Sequence, residues 1–232
     1  LMYNNYNWRY MEQVGCNCKQ MRTIHNSLDT SLQTQIYSTL KPTNVFKNYF
    51  GNDNPVVIYI GRIQKRKKLE QIIEALALGQ KQKFEFNVVI VGSTLDNDSV
   101  MHLVERYGLC DKVWFYGPCF DEKNNAQLLY DSSVCVCPAE VGLTAIHALS
   151  YGCPVISNDN FEKQMPEFES IIEGKTGSFY RENDISDLLT KIMYWCKLSD
   201  TRRMQIRKDT RKLILSEWSV DYQIKVLKEL LK

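Results

Sequence analysis

Short runs of Val and Ile recur along the chain, and amphipathic stretches separate them. Val56 to Ile60, Asn87 to Val91, Val113 to Tyr116, Val134 to Cys137 and Pro154 to Ser157 are each too short for a helix and apolar at nearly every position. A strand with one face in water alternates apolar and polar residues, so a continuous apolar strand is covered on both faces. Between these runs the apolar spacing changes to that of a helix. Leu69 to Leu78 places Leu69, Ile72, Ile73, Leu76 and Ala77 on one side, and Asp98 to Tyr107 repeats the pattern through Val100, Leu103, Val104 and Tyr107. Lys123 to Tyr130 and Gly142 to Tyr151 complete the series, and Ser178 to Tyr180 is a last short strand after the turn Gly174 to Gly177. The alternation predicts an α/β fold: a doubly wound, mostly parallel, Rossmann-like sheet with helices from Asp184 onward at its C-terminal end.

Residues 1–38 stand outside this pattern. Asn7 to Val14 suits a helix, Met21 to His25 a strand, and Asn26 to Asp29 a turn. This segment reads as the tail of a preceding domain plus a linker, with the Rossmann-like unit spanning 39–232. The chain opens in mid-pattern at Leu1-Met2, consistent with an upstream portion. Asn44 to Pro55 is polar and reads as a loop around Gly51-Asn52-Asp53-Asn54-Pro55.

Composition narrows the partners. A net charge of +2 calls for neither nucleic acid nor an anionic membrane as the main partner. The longest apolar runs fall far short of the roughly 20 residues of a spanning helix. Nothing at the start reads as a secretory signal, so the expected location is the cytoplasm. The eight cysteines lie mostly in apolar runs, and Cys16-Asn17-Cys18 is too tightly spaced for a zinc pair, so reduced thiols without a metal are expected. Tyr222 to Leu231 is amphipathic, with Lys225 and Lys228. Packing against a neighbouring domain is its preferred reading, and weak peripheral contact with a membrane is the alternative.

Ligands of doubly wound sheets sit beyond the carboxyl ends of the strands. Those ends carry Gly61-Arg62, Gly92-Ser93, Gly117-Pro118, Pro138 to Gly142 and Ser157-Asn158. Gly61 permits close backbone approach, and Arg62 and Lys67 bring two cations to a helix start, which suits a diphosphate. The basic run Lys65 to Lys68 is otherwise an ordinary solvated loop. Near Gly142, the amides of Gly142, Leu143 and Thr144 open a helix and can take a phosphate oxygen. Glu140 lies just ahead, and Thr144, His147 and Tyr151 share a flank away from the Leu143, Ile146, Leu149 stripe. Leu188, Ile192, Met193 and Trp195 read as a core stripe. A nicotinamide-dependent oxidoreductase is disfavoured, because no Gly-x-Gly-x-x-Gly turn is present.

The order Gly61-Arg62 with Lys67, Val113-Trp114-Phe115-Tyr116-Gly117, Gly142-Leu143 through Gly152-Cys153-Pro154-Val155-Ile156, and Gly174-Lys175-Thr176-Gly177 resembles the C-terminal, donor-binding half of a family 4, GT-B type glycosyltransferase. Thr23 to Asp29 is similar to the end of that family's N-terminal domain and its linker, so most of the acceptor domain would lie outside this chain. The resemblance implies a retaining transferase that moves a sugar from a nucleotide-sugar, UDP- or GDP-linked, to a glycan or lipid-linked acceptor without a bound metal or other cofactor. The setting it implies is surface polysaccharide biosynthesis, in the cytoplasm or at the inner membrane face.

It further implies that Arg62 and Lys67 hold the donor diphosphate and that Gly142, Leu143 and Thr144 contact phosphate, with Gly61 and Gly117 beside the donor. The family carries two glutamates with seven residues between them around this helix, one near the sugar and one on the ribose. Here those places hold Ala139 and His147. Glu140 is next to the first and is the candidate substitute, while His147 can still hydrogen-bond ribose hydroxyls. The alternative reading is a non-catalytic nucleotide-sugar-binding relative or a partner subunit of a glycosyltransferase.

Overall fold

A computed structural model describes residues 1–93 and 98–231 of the chain. Six strands, β1 (Val56–Ile60), β2 (Asn87–Val91), β3 (Val113–Gly117), β4 (Val134–Cys137), β5 (Val155–Asn158) and β6 (Gly177–Tyr180), form one sheet in the order β3-β2-β1-β4-β5-β6. Every pairing is parallel. The order reverses between β1 and β4, which opens a crevice at their carboxyl ends.

The continuous apolar strands serve two cores at once. Alternate residues of a strand face opposite ways, so Val57 and Tyr59 of β1 enter one cluster while Val56, Ile58 and Ile60 enter the other. The first cluster is covered by α4 (Glu70–Lys81), α5 (Asp98–Arg106) and α8 (Ile185–Cys196). There Leu188, Ile192 and Trp195 are buried as the stripe predicts, and the Trp195 indole donates to the Ser178 hydroxyl at 3.0 Å. The second cluster is covered by α6 (Glu122–Asp131), α7 (Leu143–Ser150) and α9 (Asp200–Glu217). α10 (Val220–Leu230) comes after these, and only Val226 of it is buried.

Two expectations are corrected. The stretch read as a loop from Asn44 contains α3 (Val45–Phe50), a short helix seated by buried Phe46 and ended by Gly51 at φ +68°. Turn chemistry governs only residues 51–55, where the Asn52 side chain takes hydrogen bonds from the Asn54 amide and the Asn87 side chain. Met21 to His25 forms no strand, only a single bridge between Thr23 and Met2.

The N-terminal segment docks on the sheet unit. It forms α1 (Asn5–Gln13) and α2 (Thr30–Tyr37). Ile36 joins the second core, Glu169 accepts from the Asn5 and Tyr6 amides, and the His25 ring lies 4.1 Å from that of Trp218. α10 closes over this segment, with Gln223 donating to the His25 carbonyl at 2.8 Å and the Tyr222 hydroxyl reaching the Thr23 carbonyl at 3.4 Å. The amphipathic run thus packs through one side, while Ile224 and Leu227 stay exposed on the other. The eight cysteines are free thiols, with Cys135, Cys137 and Cys153 buried.

The crevice depends on close backbone contact. A β-carbon added to Gly92 would lie 2.1 Å from the Gly61 carbonyl oxygen, which no side chain can share. Gly92→Ala is therefore expected to destabilise the fold by about 2 kcal/mol or more. Urea unfolding would measure this, and an unchanged midpoint would refute the packing argument.

Candidate functional site

The carboxyl ends of β1 and β4 face each other across a cavity of about 350 Å³. Gly61, Arg62 and Lys67 line one wall, and Glu140, Gly142, Leu143 and Thr144 line the other. Seven of the nine residues singled out in the sequence therefore meet in one place. Tyr59, Arg66, Cys137 and Met165 complete the lining.

The first wall continues from β1. Gly61 has φ +150°, a region that favours glycine, and its amide donates to the Val91 carbonyl at 3.0 Å. Tyr59 faces the crevice, and its hydroxyl donates to the Arg62 carbonyl at 2.8 Å, steadying the turn. Burial raises the Tyr59 pKa, so the group stays a donor. Lys65 to Lys67 form a single 3₁₀ turn closed by Lys68 in the left-handed region. That turn sends Lys67 inward.

The second wall is a tightly braced turn. The Asn158 amide donates to the carbonyls of Pro138 at 2.9 Å and Ala139 at 3.1 Å. The Ser157 hydroxyl lies 3.1 Å from both the Cys137 and Ala139 carbonyls, and the Tyr180 hydroxyl lies 2.8 Å from the Pro138 carbonyl. Gln164 accepts from the Val141 amide at 2.8 Å. Gly142 then caps α7 without a side-chain partner, and among the described residues the amides of Gly142, Leu143 and Thr144 are unpaired. Unpaired amides at a helix start, with the helix dipole behind them, favour an anion. The Thr144 hydroxyl ties the turn to β1 through the Ile60 carbonyl at 3.3 Å.

Charge crosses the gap. The Lys67 ammonium lies 3.0 Å from a Glu140 carboxylate oxygen and 3.0 Å from its main-chain carbonyl, and Arg66 pairs with the same carboxylate. Burial pushes the Glu140 pKa up, but the Lys67 hydrogen bond, its own backbone amide and the two cations outweigh that and hold it below the ordinary range. Arg62 forms no ion pair among the described residues. It also borders a second hollow of about 250 Å³, lined by Gly92, Ser93, Pro118, Cys119 and Phe120. Gly117 lies behind this hollow, its carbonyl taking the Gly92 amide at 2.9 Å.

His147 does not line the main cavity. One turn farther along α7, it borders a pocket of about 300 Å³ with Leu28, Asp29, Gln33 and Glu122. Its Nε2 is 3.0 Å from a Glu122 carboxylate oxygen, which also accepts from the Tyr151 hydroxyl at 2.6 Å. Burial acts to raise the Glu122 pKa, but bonds and charge from His147, with bonds from Tyr151 and Gln33, bring it below the usual value. The sequence offered no signal for Glu122 beyond its place after a strand end.

A larger cavity, about 430 Å³, lies at the opposite, amino ends of β1 and β4. Its arginines are committed, Arg203 to the Ser133 and Trp195 carbonyls and Arg207 to the Tyr130 carbonyl. Among the described residues, no group of three or more His, Cys, Asp or Glu is placed to hold a metal ion. Likewise, no helix among them is long and apolar enough to cross a membrane.

Residues 41–213 match the family model described as glycosyl transferases group 1. The chain belongs to that family. It is 22% identical over 187 residues to an uncharacterised 41.2 kDa protein in the cps region of Klebsiella pneumoniae, covering 79% of this chain and 48% of that one. It is 25% identical over 146 residues to a putative glycosyltransferase, EpsD, of Bacillus subtilis, covering 63% and 37% respectively. The chain thus spans about half or less of these two relatives. The sucrose-phosphate synthase of Thermosynechococcus elongatus superposes with a TM-score of 0.74 at 22% identity, over 99% of this chain and 56% of that one. HepE of Anabaena, solved with UDP, gives 0.74 at 19% identity, over 99% and 62%. At such identities these superpositions establish the fold, the Rossmann-like architecture of GT-B glycosyltransferases.

The shift of Glu122 has a consequence for acid stability. A carboxylate with a depressed pKa adds stability that is complete above its ordinary value of 4.5 and is lost as pH falls through the folded value. Glu122→Gln should therefore lower stability at pH 7 and flatten its fall between pH 5 and 3, as tracked by urea midpoints. A parallel fall in both proteins would show that the cluster is not coupled to folding.

Proposed function

We propose that residues 39–232 are the donor-binding unit of a glycosyltransferase that takes a UDP- or GDP-linked sugar and transfers it with retention to a glycan or lipid-linked acceptor. The observation carrying this reading is the meeting of Arg62 and Lys67 with the unpaired amides at the start of α7 in one cavity. Two cations and a helix terminus fit a diphosphate, and they stabilise the negative charge that builds on it as the sugar–phosphate bond breaks. Both hollows open beside Arg62, so the base fits the one bordered by Ser93 and Phe120, and the sugar fits the one bordered by Glu140. Solved complexes of HepE with UDP-glucose, and with UDP and glucose, support the same ligand class. Residues 1–38 are proposed as the end of an acceptor domain plus linker. A lipid-linked acceptor would place the protein at the inner membrane face.

The roles divide by position. Arg62 and Lys67 hold the diphosphate, Gly142, Leu143 and Thr144 offer amides to it, and Gly61 and Gly117 shape the turns beside it. Glu140 stands where a carboxylate can meet the sugar. His147, engaged with Glu122, reaches a ribose only from the neighbouring pocket.

UDP or GDP at ten times its Kd should stabilise the protein by about 1.4 kcal/mol, or roughly 3–5 °C in melting temperature. The double variant Arg62→Ala, Lys67→Ala should lose the shift. No shift at millimolar nucleotide would defeat the reading. A second reading, a binding subunit without turnover, draws on Ala139 and His147 at the places of the family glutamates. Full-length protein that binds nucleotide-sugar but releases no nucleotide in the presence of acceptor would favour it.

A further inference from the structure

We propose that Glu140 is an internal anion that holds the cations of the site, that the donor diphosphate binds by displacing it, and that Arg66 is thereby a third diphosphate-binding cation. This rests on the donor-site reading above.

The ion pairs carry the argument. Lys67 and Arg66 are neighbours on one 3₁₀ turn, and both meet the Glu140 carboxylate. Lys67 and Glu140 are mostly sequestered, with side-chain exposures of 19% and 17%, whereas Arg66 is 62% exposed and approaches from the rim. A carboxylate bridging two cations offers the oxygens that a phosphate would offer in the same place. Without it, two adjacent cations would face each other in a half-enclosed cavity.

The exchange needs little movement. The main chain on both sides of Glu140 is pinned, Ala139 through Ser157 and Asn158, and Val141 through Gln164. Only the Glu140 side chain must turn aside, and one anion replaces another beside Lys67 and Arg66, so both cations keep a negative partner. The displaced carboxylate remains on the cavity wall beside Met165, where it can accept hydroxyls of a bound sugar. A nucleoside diphosphate without its sugar provides no such hydroxyls. Glu140 thus sets the affinity of the diphosphate and favours its release once the sugar has left.

Calorimetric titration with UDP, GDP and ADP tests the proposal. Glu140→Gln and Glu140→Ala should each bind the preferred diphosphate about ten-fold more tightly than the unaltered protein. Adding Arg66→Ala to either variant should cancel much of that gain. Glu182→Gln removes a carboxylate paired with Lys68 outside the cavity and should change nothing, which separates local competition from overall charge. If the unaltered protein binds a diphosphate and both Glu140 variants bind it equally or more weakly, the inference fails while the donor site stands. If no diphosphate binds the unaltered protein or either variant, the donor-site reading itself fails.

Discussion

The bracing of one turn underlies the rest of the site. Between Pro138 and Gly142 the chain leaves β4 and must reverse into α7 without a sheet partner for its carbonyls. Side chains from β5 and β6 take their place, through Asn158, Ser157 and Tyr180, while Gln164 accepts from the Val141 amide. Their hydrogen bonds satisfy groups that would be costly to bury unpaired. The amides of Gly142, Leu143 and Thr144 open α7, where a helix has no intrahelical acceptors, and they are unpaired among the described residues.

The sheet was legible because its signal is physical and local. Val56–Ile60, Asn87–Val91 and Val134–Cys137 appear with the boundaries read from the sequence, since strands serving two cores are apolar at nearly every position. The helices α2 and α3 escaped for the opposite reason. α2 is rich in Thr, Ser and Gln and joins the core through Ile36, and α3 is six residues long and held by Phe46. In both, tertiary burial of one to three side chains decides the conformation, and periodicity has too few points to register it. Met21 to His25 failed as a strand because the described structure gives it only one bridge to Met2.

The site was legible to a different degree. Position at strand ends singled out Arg62, Lys67, Glu140 and the start of α7, and these do converge. In the basic run, Lys65 to Lys68 look alike in sequence, and only the 3₁₀ turn decides that Lys67 points in while Arg66 stays at the rim. The partner of His147 was invisible because Glu122 belongs to another helix and meets it only once the fold brings the start of α6 to α7. Pairings of this kind arise from the folded surface, not from spacing.

Arg62 is the side chain common to both hollows at the crevice. A molecule lodged in one of them alone would leave the other open beside Arg62. One long enough to reach across the divide encloses it from both sides and makes its ordering a shared event. Under the proposed donor-site reading, two modest cavities joined at a single cation would read the length of what enters them as well as its charge.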